Sequence, residues 1–125
     1  MIFLNTKHQT EYENLIQEIL EHKAKLDEYH FSLAYLLTLD RVCREHIKDL
    51  YDFNEDIILK DGLNKSWQTG TSRKTTLLAF NLWNDFDESN DSIDKNEITP
   101  SNIFSCEYAP YYYEAIKLRF PDYCN

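Results

Sequence analysis

Hydrophobic residues recur along this chain at intervals of three and four, the spacing that places side chains on one face of a helix. The first such run follows Thr6 and Gln9, a Thr-x-x-Gln pair typical of a helix N-terminus. We therefore predict a helix from about Lys7 to Glu28. Its apolar stripe comprises Tyr12, Leu15, Ile16, Ile19, Leu20 and Ala24.

The second segment, residues 31–39, is apolar nearly all round. A buried strand fits this composition, but a buried helix is favoured because Leu and Ala outnumber the β-branched residues. Asp40 then has the character of an N-cap. A third helix is predicted from about Arg41 to Phe53, with the inward-facing residues Val42, Cys43, His46, Ile47, Leu50 and Phe53.

A loop over residues 57–66 separates this helix from a fourth, which we predict to be capped by Thr71 or Ser72 and to end at about Asn84. The second half of the fourth helix is too apolar for a surface helix, so it is placed at the centre of the fold. Polar residues share one of its faces, and buried polar groups need partners. We predict that Arg73 pairs with Asp52 or Asp56, carboxylates near the end of the third helix.

Residues 85–97 contain six acidic residues and one lysine, and are predicted to form an exposed acidic loop. Pro100 suits the first turn of a short helix, and Pro110 that of a last helix, which Pro121 ends. The predicted fold is mainly α, a single domain over residues 1–125 with about five helices around the apolar helix 71–84.

Composition narrows the function classes. The chain has 125 residues and a net charge of −9, so the protein is not expected to bind nucleic acid directly. Acidity either keeps the protein soluble or lets it compete for a basic, nucleic-acid-binding surface of another protein. Three cysteines without metal-binding spacing favour free thiols in a reducing compartment. Neither a secretory leader nor a membrane-spanning run is evident, so a cytoplasmic location is predicted.

The stretch around the start of the fourth helix is the best candidate for a ligand site. Backbone N–H groups, hydroxyls and an arginine suit a phosphate or carboxylate, and a tryptophan could stack a base. The alternative is structural, with Trp67 covering the core and Arg73 bonded internally. The candidate ligand-binding residues are Trp67, Thr69, Ser72, Arg73 and Asn81.

Signals for an enzyme or a metal site are weak. The chain has no nucleotide-binding or nucleophile motif, and Cys43 is predicted to be a core residue. An enzyme using Asp52, Asp56 and Arg73 remains a third hypothesis. Asp85, Asp87, Ser89 and Asp91 match part of a calcium loop, but asparagine replaces its glycine, so neither a metal nor a cofactor is predicted.

Tyrosines crowd the C-terminal region, and one helix face cannot bury all of them. Tyrosine is favoured at interfaces because it is large, rigid and amphipathic. A surface for a protein partner, or for a second copy of the chain, is predicted here together with the acidic loop, and plain packing of the tyrosines is the alternative. The candidate interface residues are Tyr108, Tyr111, Tyr112, Tyr113, Asp87, Glu88 and Asp91.

Two longer patterns carry a resemblance to a known family. The first runs from Tyr51-Asp52-Phe53 through Trp67-Gln68-Thr69 and Ser72-Arg73 to the helix 78–84, and the second covers residues 109–120. Together they resemble domain of unknown function 6075, small proteins of Gram-positive bacteria, their phages and mobile elements. The resemblance brings no activity. It implies a setting in which short acidic proteins block host defence, so our leading hypothesis is an anti-CRISPR-like inhibitor that acts by protein contact.

Overall fold

Six α-helices and one short hairpin make up the part of the chain that the structure describes. The computed structural model describes residues 1–22, 25–86, 93, 94 and 96–124. A 3₁₀ turn follows the third helix at Ile47–Asp49, and another precedes the fourth at Lys60–Asn64. The helices are α1 (Thr6–His22), α2 (Glu28–Leu39), α3 (Arg41–Glu45), α4 (Gly70–Asn84), α5 (Pro100–Ile103) and α6 (Ala109–Arg119); the strands are β1 (Tyr51–Asp52) and β2 (Ile57–Ile58).

Helices α2 and α4 form the centre of the fold. Every residue of α2 from Ser32 to Leu39 is buried, and α2 packs against α1, α3, α4 and α6. Helix α4 packs in turn against α2, α3, α5 and α6. The predictions of a buried helix over 31–39 and of a central helix over 71–84 are both confirmed, so the mainly α fold class is correct.

Helix α1 covers one side of α2 and is shorter than predicted. The side chain of Asn5, rather than the Thr6 and Gln9 pair, caps its first turn by accepting a hydrogen bond from the His8 N–H at 2.8 Å. The helix ends at His22. Asp27 caps the next helix by accepting hydrogen bonds from the N–H groups of Tyr29 and His30. Ala24, which was assigned to its apolar stripe, lies outside the described residues.

The prediction of a third helix to Phe53 is wrong. Helix α3 begins after Asp40, as predicted, but β1 and β2 then form an antiparallel hairpin that pairs Tyr51 with Ile58. The Asp52 side chain starts the turn by accepting hydrogen bonds from the N–H groups two and three residues later, at 2.9 and 3.0 Å. Asp56 completes the turn with a positive φ of 58°, a conformation that Asp tolerates better than most residues.

The ends of the remaining helices follow their local sequences. Thr69, rather than Thr71 or Ser72, is the N-cap of α4, and it forms a reciprocal capping box with Ser72. Pro100 lies in the first turn of α5 and Pro110 in that of α6, as predicted. Among the helices that the structure describes, none is both long enough and apolar enough to span a membrane.

Candidate functional site

The predicted ligand residues gather at the N-terminal end of α4, where they bond to one another and to nearby turns. The indole N–H of Trp67 donates to Asp49 at 2.9 Å, and its ring stacks on His46 with centroids 4.4 Å apart and planes 4° apart. Trp67 therefore lies between α4 and the 3₁₀ turn after α3. The stack occupies one face of the indole, so a base could not stack there without displacing His46.

The hydroxyls at this end are engaged in capping. Thr69 accepts a hydrogen bond from the Ser72 N–H at 3.0 Å, and the Ser72 hydroxyl accepts one from the Thr69 N–H at 2.7 Å. Ser72 is completely buried and also donates to the Gln68 side chain at 2.6 Å. The N–H groups that would receive a phosphate are therefore partly satisfied by the protein itself.

Arg73 forms the strongest polar contact at this end. Its Nε and Nη2 donate to the two carboxylate oxygens of Glu97 at 2.7 and 3.2 Å, and its Nη1 donates to the Leu63 carbonyl at 2.6 Å. Hydrogen bonding to Arg73 is the main reason that the pKa of Glu97 is lowered. The guanidinium thus ties α4 to the segment before α5 and to the turn before α4.

The predicted pairing of Arg73 with Asp52 or Asp56 is wrong. Asp56 lies 3.0 Å from His30 Nε2 and accepts a short hydrogen bond from the Tyr51 hydroxyl. His30 in turn lies 2.8 Å from Asp27 through its Nδ1. Asp56 therefore clamps the hairpin to the start of α2, and the proposed catalytic cluster of Asp52, Asp56 and Arg73 does not assemble.

These contacts make the N-terminal end of α4 a closed end, defined here by Trp67, Thr69, Ser72 and Arg73. Asn81 lies farther along the helix and donates its amide to the Phe86 carbonyl at 3.0 Å. Of the polar residues on this face of α4, Arg73 and Asn81 have the partners that were expected, and Asn84 is exposed. Each of the five predicted ligand side chains already has a partner within the protein, with which a ligand would have to compete. Ligand binding there stays a prediction.

The predicted tyrosine surface is divided between core and exterior. Tyr112 is completely buried and shares a 2.7 Å hydrogen bond with the Thr75 hydroxyl, so its placement on a surface is wrong. Tyr108 is half-buried and donates to Asp40 at 3.3 Å, and Tyr111 is half-buried. Tyr113 is 56% exposed and is the one of the four that could give most of its ring to a partner.

The acidic part of the prediction falls largely outside the described residues. The structure does not describe Asp87, Glu88 and Asp91, nor Ser89 and most of the partial calcium loop. Within residues 1–22, 25–86, 93, 94 and 96–124, no group of three or more His, Cys, Asp or Glu side chains could hold a metal ion. The described residues therefore provide no set of ligands for a metal ion.

The C-terminal end of α4 differs, because aromatic and cationic groups reach the surface there. The Arg119 guanidinium lies 3.7 Å from the ring centroid of Tyr29 and 4.5 Å from that of Phe120. Its Nε donates to the Leu82 carbonyl at 2.8 Å, and the Trp83 ring lies 6.3 Å from Tyr29. Tyr29 and Phe120 are each 37% exposed. We call Tyr29, Trp83, Arg119 and Phe120 the open end.

An apolar cavity of about 210 Å³ adjoins the open end. It lies between α4, α5 and α6, and Phe120 belongs both to its wall and to the open end. A second cleft of about 340 Å³ lies beside the hairpin, and its lining includes the charged or titratable residues Glu18, His22, Lys48 and Asp52. The apolar cavity is lined chiefly by Leu78, Leu82, Ile103, Phe104, Ile116 and Phe120.

A family model described as a family of unknown function, DUF6075, matches residues 1–125. The chain belongs to this family. No curated protein and no solved structure matches the chain. Membership in DUF6075 confirms the resemblance seen in the sequence and assigns no activity, so the function of this DUF6075 member has to be argued from its geometry.

The open end contains residues that were not selected from the sequence. Tyr29 and Trp83 lie far apart in the chain from Arg119 and Phe120, and only the packing of α2, α4 and α6 brings them together. One signal was available. Arg119-Phe120 follows the last helix directly, where a cation is favoured by the helix dipole and an aromatic residue has no further helical turn to cover it.

Proposed function

We propose that this DUF6075 protein is a non-enzymatic binding protein that acts by contact with another protein. The observation that carries the proposal is the arrangement of Arg119 between Tyr29 and Phe120. Tyrosine, tryptophan and arginine are the residues that contribute most binding energy at protein interfaces. Arg119 is already held by two rings and the Leu82 carbonyl, so little side-chain freedom remains to be lost on binding.

The partner that we propose is a basic surface of a host nucleic-acid-handling defence complex. The net charge of −9 supports this choice, because an acidic protein is attracted at long range to a surface that binds phosphates. Arg119 is itself a cation, so within the interface it would contact aromatic or carbonyl groups of that surface rather than its lysines and arginines. Occupying such a surface would block nucleic acid from it, which is an anti-CRISPR-like mode of inhibition. The resemblance to proteins of phages and mobile elements supports the same role.

A small-molecule or nucleotide site at the closed end is the alternative. A nucleotide there would have to displace His46 from the Trp67 ring and compete with Glu97 for Arg73. Both displacements cost binding free energy, because the ligand must first break interactions within the protein before it can form its own. The open end requires no such exchange, and so we favour protein contact.

The test compares variants of the open end with a matched exposed position. Tyr29→Ser together with Phe120→Ser removes both rings that hold Arg119, whereas Ile2→Ser removes an apolar side chain that is 50% exposed elsewhere. Immobilised protein is incubated with host lysate, and captured proteins are quantified by mass spectrometry. In parallel, phage survival is measured in cells with an active defence system.

We expect the unaltered protein and Ile2→Ser to capture a component of a defence complex and to protect phage, and the double variant to lose both effects. Circular dichroism establishes that all three proteins are folded. The proposal is contradicted if the unaltered protein captures no defence protein and does not protect phage. Full capture by the double variant would also contradict it.

A further inference from the structure

We infer that the cleft beside the hairpin binds a small zwitterion of the amino-acid class, a molecule in which an apolar body joins an ammonium to a carboxylate. The lining of this cleft comes from α1, from the 3₁₀ turn after α3 and from the hairpin, and we call it the hairpin cleft. Its charged or titratable residues are Glu18, His22, Lys48 and Asp52. The site is distinct from the open end, and the inference does not depend on the proposed function.

The size and the apolar surface of the hairpin cleft suit a small molecule. Its volume of about 340 Å³ lies within the range of roughly 300–1,000 Å³ that is usual for such sites. Tyr51, Phe53 and Leu59 contribute apolar surface, and the Tyr51 hydroxyl already donates to Asp56. The two rings and the leucine therefore offer carbon contacts to the body of a ligand.

The charged groups of the hairpin cleft do not neutralise one another. The Lys48 ammonium and the Glu18 carboxylate form no hydrogen bond or ion pair with any residue that the structure describes. Asp52 uses its Oδ1 for two N–H groups of the hairpin turn, which leaves Oδ2 without a partner among the described residues. At the closed end, by contrast, Arg73 has carboxylate and carbonyl partners. The charges of the hairpin cleft are therefore available to a ligand.

His22 adds a hydrogen-bond acceptor whose tautomer is fixed. Its Nδ1 lies 2.9 Å from the backbone carbonyl oxygen of Glu18, which can only accept, so Nδ1 carries the proton. In the neutral ring Nε2 is then an acceptor, and it has no partner in the described part of the chain. Glu18 and His22 are one turn apart on α1 and so lie on the same side of that helix. Helix α1 therefore presents a carboxylate and an imidazole nitrogen to one cationic group.

The arrangement of these groups favours a ligand that carries both charges. An ammonium is attracted to the acceptors of Glu18 and His22, but a ligand with only that charge would be repelled by Lys48. A carboxylate is attracted to Lys48, but alone it would be repelled by Glu18 and Asp52. A zwitterion that directs its ammonium towards α1 and its carboxylate towards Lys48 gains from both. Because two carboxylates outnumber one ammonium, a simple anion is the least favoured occupant.

The first experiment titrates the unaltered protein with matched small molecules. Glycine, γ-aminobutyrate and ε-aminohexanoate are zwitterions that differ in the separation of their charges. Each is compared with the amine and with the carboxylic acid of the same chain length, which carry one charge only. The aromatic NMR signals of His22 and Phe53, whose rings lie 5.8 Å apart, report binding in the hairpin cleft and give the dissociation constants.

We expect at least one zwitterion to shift these signals with a dissociation constant below about 10 mM. The amine of the same chain length should bind at least about threefold more weakly, because it lacks one solvent-accessible ion pair, and the acid should bind more weakly again. The inference is wrong if no zwitterion binds below that limit. It is also wrong if the matching amine or acid binds as tightly as the zwitterion.

The second experiment matches each charge of the ligand to a charge of the protein. Lys48→Met removes the ammonium and keeps an apolar stem, and Lys65→Met makes the same change at an exposed lysine that does not line the hairpin cleft. Glu18→Gln removes the carboxylate, and Glu13→Gln is its control at an exposed position of α1. All four side chains are exposed, so folding should be unaffected, and circular dichroism checks this.

We expect Lys48→Met to bind the zwitterion and the amine equally well, because the group that recognises the ligand carboxylate is gone. Glu18→Gln should weaken the zwitterion and the amine but not the acid, because it removes the partner of the ammonium. Lys65→Met and Glu13→Gln should keep the preferences of the unaltered protein. Combining protein variants with ligand analogues isolates each pair of charges. A preference for the zwitterion over the amine that survives Lys48→Met, or that is lost equally in Lys65→Met, would overturn the inference.

Discussion

The regions at the two ends of α4 contain the same residue types, but their side chains have different partners. The closed end has a tryptophan and an arginine, Trp67 and Arg73, and the open end has Trp83 and Arg119. Arg73 donates to a carboxylate and a carbonyl, whereas Arg119 donates to one carbonyl and otherwise lies against two rings. Residue type alone therefore does not distinguish a structural group from an available one; the partners supplied by the fold do.

The difference has an energetic meaning. Substituting an arginine that forms a bidentate ion pair with a carboxylate is costly, because the remaining carboxylate loses both its cation and two hydrogen-bond donors. A guanidinium between aromatic rings keeps much of its charge accessible, and its interactions contribute less to folding. The closed end should therefore be sensitive to substitutions that change stability, and the open end to substitutions that change binding.

The largest expected effect comes from Gly62, in the 3₁₀ turn whose Leu63 carbonyl accepts a hydrogen bond from Arg73 of the closed end. A Cβ on Gly62 would meet the Asp49 carbonyl oxygen at 2.5 Å, and that backbone atom cannot simply rotate away. We expect Gly62→Ala to lower the free energy of unfolding by about 2–3 kcal/mol, or to prevent folding. A Cβ on Gly70 meets nothing within 4 Å, so Gly70→Ala should be neutral or stabilising. Urea denaturation compares the two, and equal losses would contradict this packing.

A matched pair of arginine substitutions sharpens the comparison directly. Arg73→Met deprives Glu97 of its cation and the Leu63 carbonyl of a donor, and should lower the free energy of unfolding by about 1–2 kcal/mol. Arg119→Met removes a partly exposed cation–aromatic interaction and the donor to the Leu82 carbonyl but breaks no ion pair, so it should cost about half as much. Capture of the partner should show the reverse order. Loss of capture only in Arg73→Met would favour the closed end as the binding site.

The smallest expected effect is a difference in acid sensitivity. The pKa of Glu97 is lowered from 4.5 by Arg73, so the folded protein prefers the charged acid. The corresponding stability is present above pH 4.5 and is lost as the pH falls through the lower, folded pKa. Arg119 cannot lose its charge, so the open end should not respond. Thermal unfolding of Glu97→Gln should therefore show a flatter pH dependence below 4.5.

His8 supplies a control in a different pH window. Burial is the main reason that the pKa of His8 is lowered from 6.5, and it outweighs the hydrogen bond between the ring and the Tyr35 carbonyl, 2.9 Å away, which raises the pKa. The folded state prefers neutral His8, so stability falls as the pH drops from 6.5 towards its folded pKa. His8→Gln should remove this slope and leave the one below pH 4.5. Identical profiles in both variants would contradict the assignment.

Helix positions were predictable where one local pattern decided them. The Leu- and Ala-rich run of α2, the Asp40 cap and the two prolines that begin α5 and α6 are local signals, and all are confirmed. The hairpin was missed because Ile47, Leu50 and Phe53 keep a helical spacing, although they lie in the 3₁₀ turn, just after it and in the hairpin turn. Turn-forming side chains overrode that spacing.

The candidate site was less predictable because its partners are distant in sequence. Arg73 was expected to need an anion, and it has one, but Glu97 lies in a stretch that was predicted to be an exposed loop. The four residues of the open end come from α2, α4 and the end of α6. Nothing in the local spacing relates Tyr29 to Arg119. Such pairings depend on how three helices cross, which a single sequence does not specify.

Cys43 offers a way to time the opening of the core. Its thiol is completely buried between α3 and α4, 3.5 Å from the Ser72 carbonyl oxygen and 3.4 Å from the Thr76 hydroxyl. Burial raises its pKa to about 12, so at neutral pH it reacts with a thiol reagent only when these helices separate. With the partly exposed Cys106 and Cys124 replaced by serine, the labelling rate at Cys43 measures how often α3 and α4 separate.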